Sequence, residues 1–171
     1  MEKKLSSLPY IADYLKKQSL LLSTAESCTA GQMIALLASI PGAGALLESG
    51  YVVYSPEAKQ RILHVDAQTI ETYGLTSEEV ALEMARGAIA GGPANVAIAT
   101  TGVAGPDPID DIKPGTVCIA WIFQDQGHPV SFTQTEHFSG DRLEVQIAAS
   151  LHALTMIPRF HAQALEANRE R

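Results

Sequence analysis

Ser27 stands in a run of small and hydroxylated residues, Thr24-Ala25-Glu26-Ser27-Cys28-Thr29-Ala30-Gly31. The apolar stretch Leu20-Leu21-Leu22 leads in, and Gln32 to Leu37 lead out at helical spacing, an order that reads as strand, tight turn, helix. Backbone N–H groups at a helix start lack intrahelical partners and, with the helix dipole, can hold an anion or a developing oxyanion. A serine among such donors is placed as a nucleophile, although Ser27 and Thr29 can also serve simply as helix caps. Lys59, in Tyr54-Ser55-Pro56-Glu57-Ala58-Lys59, can act as the base if burial in a partly apolar site pulls its pKa toward neutrality. The matching reaction is amide hydrolysis through a covalent acyl-serine. Tyr54 and Thr101 can relay or orient protons, and the amides around Thr29, Ala30 and Gly31 can form an oxyanion hole. Gly102 and Gly105 offer a glycine loop for substrate, and Arg142, beside a helix start, can clamp a phosphate.

Each assignment has a plainer counterpart. Lys59 can be a solvated helix lysine, Tyr54 a core residue, Gly102 and Gly105 turn residues, and Arg142 an ion-pair partner of Asp141 or Glu144. Ser55 and Cys28 are rival nucleophiles, Ser55 the weaker because its helix lacks the small-residue turn around Ser27.

The elements that must position these residues decide between the readings. Leu5, Leu8, Ile11, Ala12 and Leu15 mark an opening amphipathic helix with Lys16 and Lys17 in its last turn. Strand one spans about 20–26 and strand two Ser49–Tyr54, with a short helix from Ser55-Pro56 carrying Lys59. Thr76 and Glu79 read as a capping box for a helix that buries Val80, Ala81, Met84, Ala85, Ala88 and Ile89 and ends at Gly91-Gly92. Strand three, Val96–Thr100, runs into the loop Thr101–Pro106. Strand four, Thr116–Phe123, is apolar enough to be covered on both faces, and the short connection 124–128 makes strand five, Val130–Phe138, antiparallel to it. A helix then opens at Gly140-Asp141 with Leu143, Ile147, Leu151 and Leu154 inward. Pro158 ends or kinks it, leaving a polar tail that frays from about residue 162.

Strands alternating with helices predict one α/β domain over residues 1–171 with a largely parallel sheet. Ligands of such sheets bind beyond the carboxyl ends of the strands. Ser27, Lys59, Thr101–Pro106 and Arg142 each follow a strand, and reversal of strand four brings Lys113-Pro114-Gly115-Thr116 to the same edge. None of these five segments holds a histidine, so a lysine can serve, and Lys59 is the candidate base. Their convergence favours an active site over pure scaffolding.

Composition narrows the partners. The 171 residues carry a net charge of −7, with 46% hydrophobic and 18% charged residues, and no basic cluster longer than Lys3-Lys4. This argues against a nucleic-acid binder but allows a small phosphorylated ligand, which needs only one or two placed cations. No apolar run approaches the roughly 20 residues of a membrane helix, and Met1–Leu5 lack the apolar core of a signal peptide, so a cytoplasmic location is expected. Cys28 and Cys118 are isolated and expected to be reduced. Histidines 64, 128, 137, 152 and 161 show no ligand spacing, and no metal site is expected.

Taken together, Ala25–Gly31, Tyr54–Lys59, Gly102-Val103-Ala104-Gly105-Pro106, Pro114-Gly115-Thr116-Val117 and Gly140-Asp141-Arg142 resemble the CinA C-terminal domain family, over about Ser7 to Pro158. The resemblance implies a three-layer α/β/α fold with a five-stranded mixed, mostly parallel sheet. Enzymatic members are nicotinamide-nucleotide amidases, which convert nicotinamide mononucleotide to nicotinate mononucleotide and ammonia in pyridine-nucleotide salvage. The family's serine falls on Ser27 and its lysine on Lys59; no metal or organic cofactor is implied, and members commonly form homo-oligomers. The chain departs from the family pattern in four places. Ala30 stands for a glycine, Pro56 for an asparagine and Gln146 for a second arginine, and Pro108-Ile109-Asp110-Asp111 replaces a glycine pair in a loop one residue shorter. A serine–lysine amidase is the first reading. A non-catalytic pyridine-nucleotide-binding paralogue is the second, and a nucleic-acid-associated accessory protein, disfavoured by the acidic balance, the third.

Overall fold

The computed structural model describes residues 6–124 and 128–170, so Lys3-Lys4, Leu5 and most of the connection between strands four and five lie outside the described residues. Five strands form one sheet: β1 (Leu22–Glu26), β2 (Leu47–Val52), β3 (Val96–Val103), β4 (Thr116–Phe123) and β5 (Val130–His137), in the order β2-β1-β3-β4-β5. The β1–β2 and β1–β3 pairs are parallel and the β3–β4 and β4–β5 pairs antiparallel. Strand β4 alone therefore runs against the other four. The sheet is mixed and mostly parallel, as the resemblance implied.

The helices are α1 (Leu8–Lys17), α2 (Gln32–Ala38), α3 (Pro56–Leu63), α4 (Ala67–Tyr73), α5 (Glu78–Ala90), α6 (Arg142–Thr155) and α7 (Ile157–Arg169), with a 3₁₀ turn at Ala43–Leu46. Alternation along the central strands feeds two apolar layers. Val96, Ile98, Val117, Ile119, Trp121 and Phe123 pack with Leu8, Ile11, Leu15, Met33, Leu154 and Phe160 from α1, α2, α6 and α7. Ala97, Ala99, Cys118, Ala120 and Ile122 face the other way, against Val80, Ala81, Met84, Ala85, Ala88 and Ile89 of α5. Small residues on that second face let α5 lie close to the sheet. The result is a three-layer α/β/α fold.

The structure corrects several expectations. The cap of α5 is Ser77, whose hydroxyl accepts from the Val80 N–H, one residue later than the Thr76 box. Leu143 is 58% exposed rather than inward, because α6 buries the stripe Val145, Ala149, Ala153 together with Leu151 and Leu154. Helix α4 was not foreseen; it has no buried residue and so no apolar period to betray it. The tail does not fray from residue 162. Pro158 sits in the first turn of α7, where its missing N–H costs no hydrogen bond, and Ile157, Phe160, His161 and Ala164 are buried along one side. Phe160 stacks on Phe132 (4.6 Å between centroids) and lies 4.7 Å from the Trp121 ring.

Candidate active site

With β4 reversed, the carboxyl ends of β1, β2, β3 and β5 and the amino end of β4 share one edge, where a cleft opens. Ser27 follows β1 directly, and its N–H donates to the Thr100 carbonyl (3.0 Å), extending the pairing with β3 by one residue. Lys59 projects from the first turns of α3, whose start is fixed by Ser55, accepting from the Ala58 N–H at 3.1 Å, and by Pro56. The Lys59 side chain is 1% exposed and Ser27 8%. Nζ lies 3.0 Å from Ser27 Oγ, 3.0 Å from the Val53 carbonyl and 2.9 Å from the Tyr54 carbonyl. No carboxylate pairs with the amine among the described residues. Burial pushes its pKa down to about 8 from 10.5, with a small opposing pull from Cys28. In the neutral amine both N–H groups are taken by the two carbonyls, so the lone pair faces the Ser27 hydroxyl. That is the arrangement a general base needs.

The rivals fall away on geometry. Ser55 is an exposed helix cap. Cys28 lines the cleft, but burial pushes its thiol up to about 12, which leaves it protonated and weakly nucleophilic near neutral pH.

Glu26, which sequence reasoning did not single out, organises the turn. It is fully buried, and its carboxylate accepts from the Thr24 hydroxyl (3.2 Å), the Thr29 hydroxyl (2.7 Å) and the N–H groups of Gly31 (3.0 Å), Met33 (3.2 Å) and Ile34 (3.3 Å). The positive end of α2 is thus occupied by a side chain of the protein itself. The Ala30 N–H donates to the Ser27 carbonyl at 3.1 Å. Ala30 and Gly31 are therefore not free oxyanion donors, contrary to expectation, and neither they nor Thr29 line the cleft. Ala30 and Gly31 both take left-handed backbone (φ +57° and +89°), which turns the chain from the strand into α2. The Cys28 and Thr29 N–H groups donate to no carbonyl among the described residues, and they sit directly after the nucleophile.

Thr101, Gly102, Tyr54 and Arg142 line the cleft with Ser27 and Lys59. The Thr101 hydroxyl donates to the Leu75 carbonyl (2.7 Å), so it can accept from, but not donate to, a neighbour. Tyr54 is 53% exposed, at the cleft and not in the core. A Cβ at Gly102 would come within 2.4 Å of the Thr116 carbonyl, so glycine is required for β3 to approach β4 there. Arg142 pairs with neither Asp141 nor Glu144, which form the capping box of α6; its Nη1 donates to the Gly105 carbonyl (2.7 Å), leaving other N–H groups for a ligand. Gly105 itself does not line the cleft, contrary to expectation, and meets Arg142 only through this carbonyl. Lys113 and Pro114 reach the expected edge but do not line the cleft; Gly115 there donates to the Val103 carbonyl and accepts from the Phe138 N–H. Gln146 donates to the Cys28 carbonyl at 2.8 Å and ties α6 to the nucleophile turn. Leu75, Thr76, Ile109 and Asp110, which sequence reasoning left out of the site, complete the walls.

Fold and site together define a three-layer α/β/α protein with a buried serine–lysine pair at the carboxyl edge of its sheet. Within that class the chain belongs to the CinA C-terminal domain family, whose description matches residues 6–161. It is 41% identical over 150 residues to a CinA-like protein of Chlorobium phaeobacteroides (strain BS1), an alignment covering 86% of this chain and 36% of that protein. The chain thus spans about a third of the length of such CinA-like relatives. It is also 38% identical over 145 residues to the nicotinamide-nucleotide amidohydrolase PncC of Escherichia coli (strain K12), covering 84% of this chain and 86% of that protein. Among solved structures, the competence damage-inducible protein A of Klebsiella pneumoniae superposes with a TM-score of 0.86 at 34% identity, over 93% of this chain and 97% of the other.

Proposed function

We propose that the chain is a C–N hydrolase that deamidates nicotinamide mononucleotide to nicotinate mononucleotide and ammonia, with Ser27 as nucleophile and Lys59 as base. The observation that carries the reading is the buried Lys59 amine, 3.0 Å from the Ser27 hydroxyl with two carbonyls holding its other donors. The 38% identity to PncC, along most of both chains, supports the choice of substrate.

In this scheme neutral Lys59 takes the Ser27 proton as Oγ attacks the carboxamide carbon. The N–H of Cys28, which lines the cleft directly after the nucleophile, stabilises the tetrahedral oxyanion. Lys59 returns the proton to the amide nitrogen, the C–N bond breaks and ammonia leaves an acyl-serine. Water, deprotonated by Lys59, then attacks the ester, and Ser27 is regenerated as the nicotinate nucleotide departs. Arg142 holds the phosphate with the N–H groups not spent on Gly105. Tyr54 and Thr101 border the reacting groups and orient the attacking water.

Ammonia release from nicotinamide mononucleotide, followed for the wild type, Ser27→Ala and Lys59→Ala, tests this. Activity is expected to vanish in Ser27→Ala and to fall by about 10²–10⁴-fold in Lys59→Ala, the range for loss of a general base. Full activity in Ser27→Ala contradicts the assignment. Tight calorimetric binding of the nucleotide without ammonia release would instead mark a non-catalytic pyridine-nucleotide-binding protein.

A further inference from the structure

The segment after Pro106 is closed by its own hydrogen bonds. Ile109 and Ile112 form an isolated antiparallel bridge, with the Ile112 N–H donating to the Ile109 carbonyl (2.9 Å) and the Ile109 N–H returning at 3.3 Å. Between them Asp110 and Asp111 both take left-handed backbone, φ +50° and +61°, the signature of a tight two-residue hairpin turn. Aspartate tolerates that conformation better than most residues. The hairpin presents Ile109, 57% exposed, and Asp110 to the same cleft as Ser27, Lys59 and Arg142. Among the described residues the Asp110 carboxylate has neither an ion-pair nor a hydrogen-bond partner. An unpartnered anion in the wall of a cleft that also offers an arginine matches a ligand carrying both signs of charge. In an oxidised nicotinamide nucleotide the ring nitrogen is a cation and the phosphate an anion.

We propose that Asp110 is a specificity-determining residue that recognises the positive charge of an N-substituted pyridinium, with Ile109 against the ring. The cleft then selects oxidised nicotinamide nucleotides over their neutral dihydro forms. This rests on the amidase reading of the cleft and names what the cleft reads in its substrate. Asp111, which does not line the cleft, provides the internal control.

The test compares wild type, Asp110→Asn and Asp111→Asn on nicotinamide mononucleotide and its dihydro form, by ammonia release and by calorimetric binding. Asparagine keeps the side-chain shape and accepts left-handed backbone, so the hairpin is retained. For Asp110→Asn, KM and Kd for the oxidised nucleotide are expected to rise about fivefold, the size of an exposed ion pair, with kcat within twofold. Values for the dihydro form should change less than twofold, and Asp111→Asn should match wild type on both. Equal losses on both ligands, no loss on either, or a loss in Asp111→Asn as large as in Asp110→Asn would overturn the proposal. Failure of the amidase reading is separately visible as absent ammonia release from the wild type. In that case the binding arms still decide the role of Asp110.

Discussion

At the residue scale the chemistry turns on the protonation of Lys59. With a pKa of about 8, roughly one molecule in ten carries the neutral amine at pH 7. We predict that kcat/KM on nicotinamide mononucleotide rises about tenfold per pH unit below 8 and levels off above it. A profile flat between pH 6 and 9 would remove Lys59 as the base. The same burial has a stability consequence of defined sign. The folded pKa lies below the unfolded value of 10.5, so the unfolded chain binds more protons between pH 8 and 10.5 and stability rises with pH through that window. Relative to Lys59→Met, the wild type should gain about 3 kcal/mol between pH 7 and 10.5, measured by denaturant unfolding at each pH. Ser27 and Lys59 were legible in the sequence because small residues and a lysine after successive strands point to one sheet edge. Glu26 was not, because a carboxylate beside a candidate nucleophile reads as part of the motif until its five donors are seen.

At the element scale the turn from β1 into α2 is the part under tension. Glu26 satisfies two hydroxyls and three N–H groups, so Glu26→Gln, which turns an amide toward some of these donors, should cost about 2–4 kcal/mol. It should lower kcat more than it raises KM, because the Cys28 amide loses its fixed direction. Ala30, held at φ +57°, is strained by about 1 kcal/mol, whereas glycine there adds unfolded-state entropy of similar size. Ala30→Gly should therefore change the unfolding free energy by less than about 1 kcal/mol and leave kcat unchanged; a large loss of activity would show that the methyl group has a role in the cleft. The strand edge was readable from topology rules, but which amides remain free on it was not. That depended on Glu26 reaching forward into the helix end, a contact that no periodicity announces.

At the scale of the whole molecule, both faces of the sheet must be covered for the edge to hold its shape. Helix α7 closes the first face through Phe160, so Phe160→Ala should cost about 3–5 kcal/mol in a chemical denaturation series, and removal of residues 157–171 should prevent stable folding. A truncated chain that unfolds at the wild-type midpoint would contradict this. The order of the five strands was legible, since alternation and turn residues mark their boundaries to within a few positions. The tail was misread because its polar composition hid a one-sided stripe of four buried residues, and α4 was missed because it buries none.

The account stands or falls on a covalent bond at Ser27. Acid-quenched enzyme, sampled during turnover of nicotinamide mononucleotide and digested for mass spectrometry, should carry the acyl group of the nicotinate nucleotide on the peptide containing Ser27, and Ser27→Ala should carry none. An adduct on Ser55 or Cys28, or undiminished turnover by the Ser27→Ala protein, would contradict it.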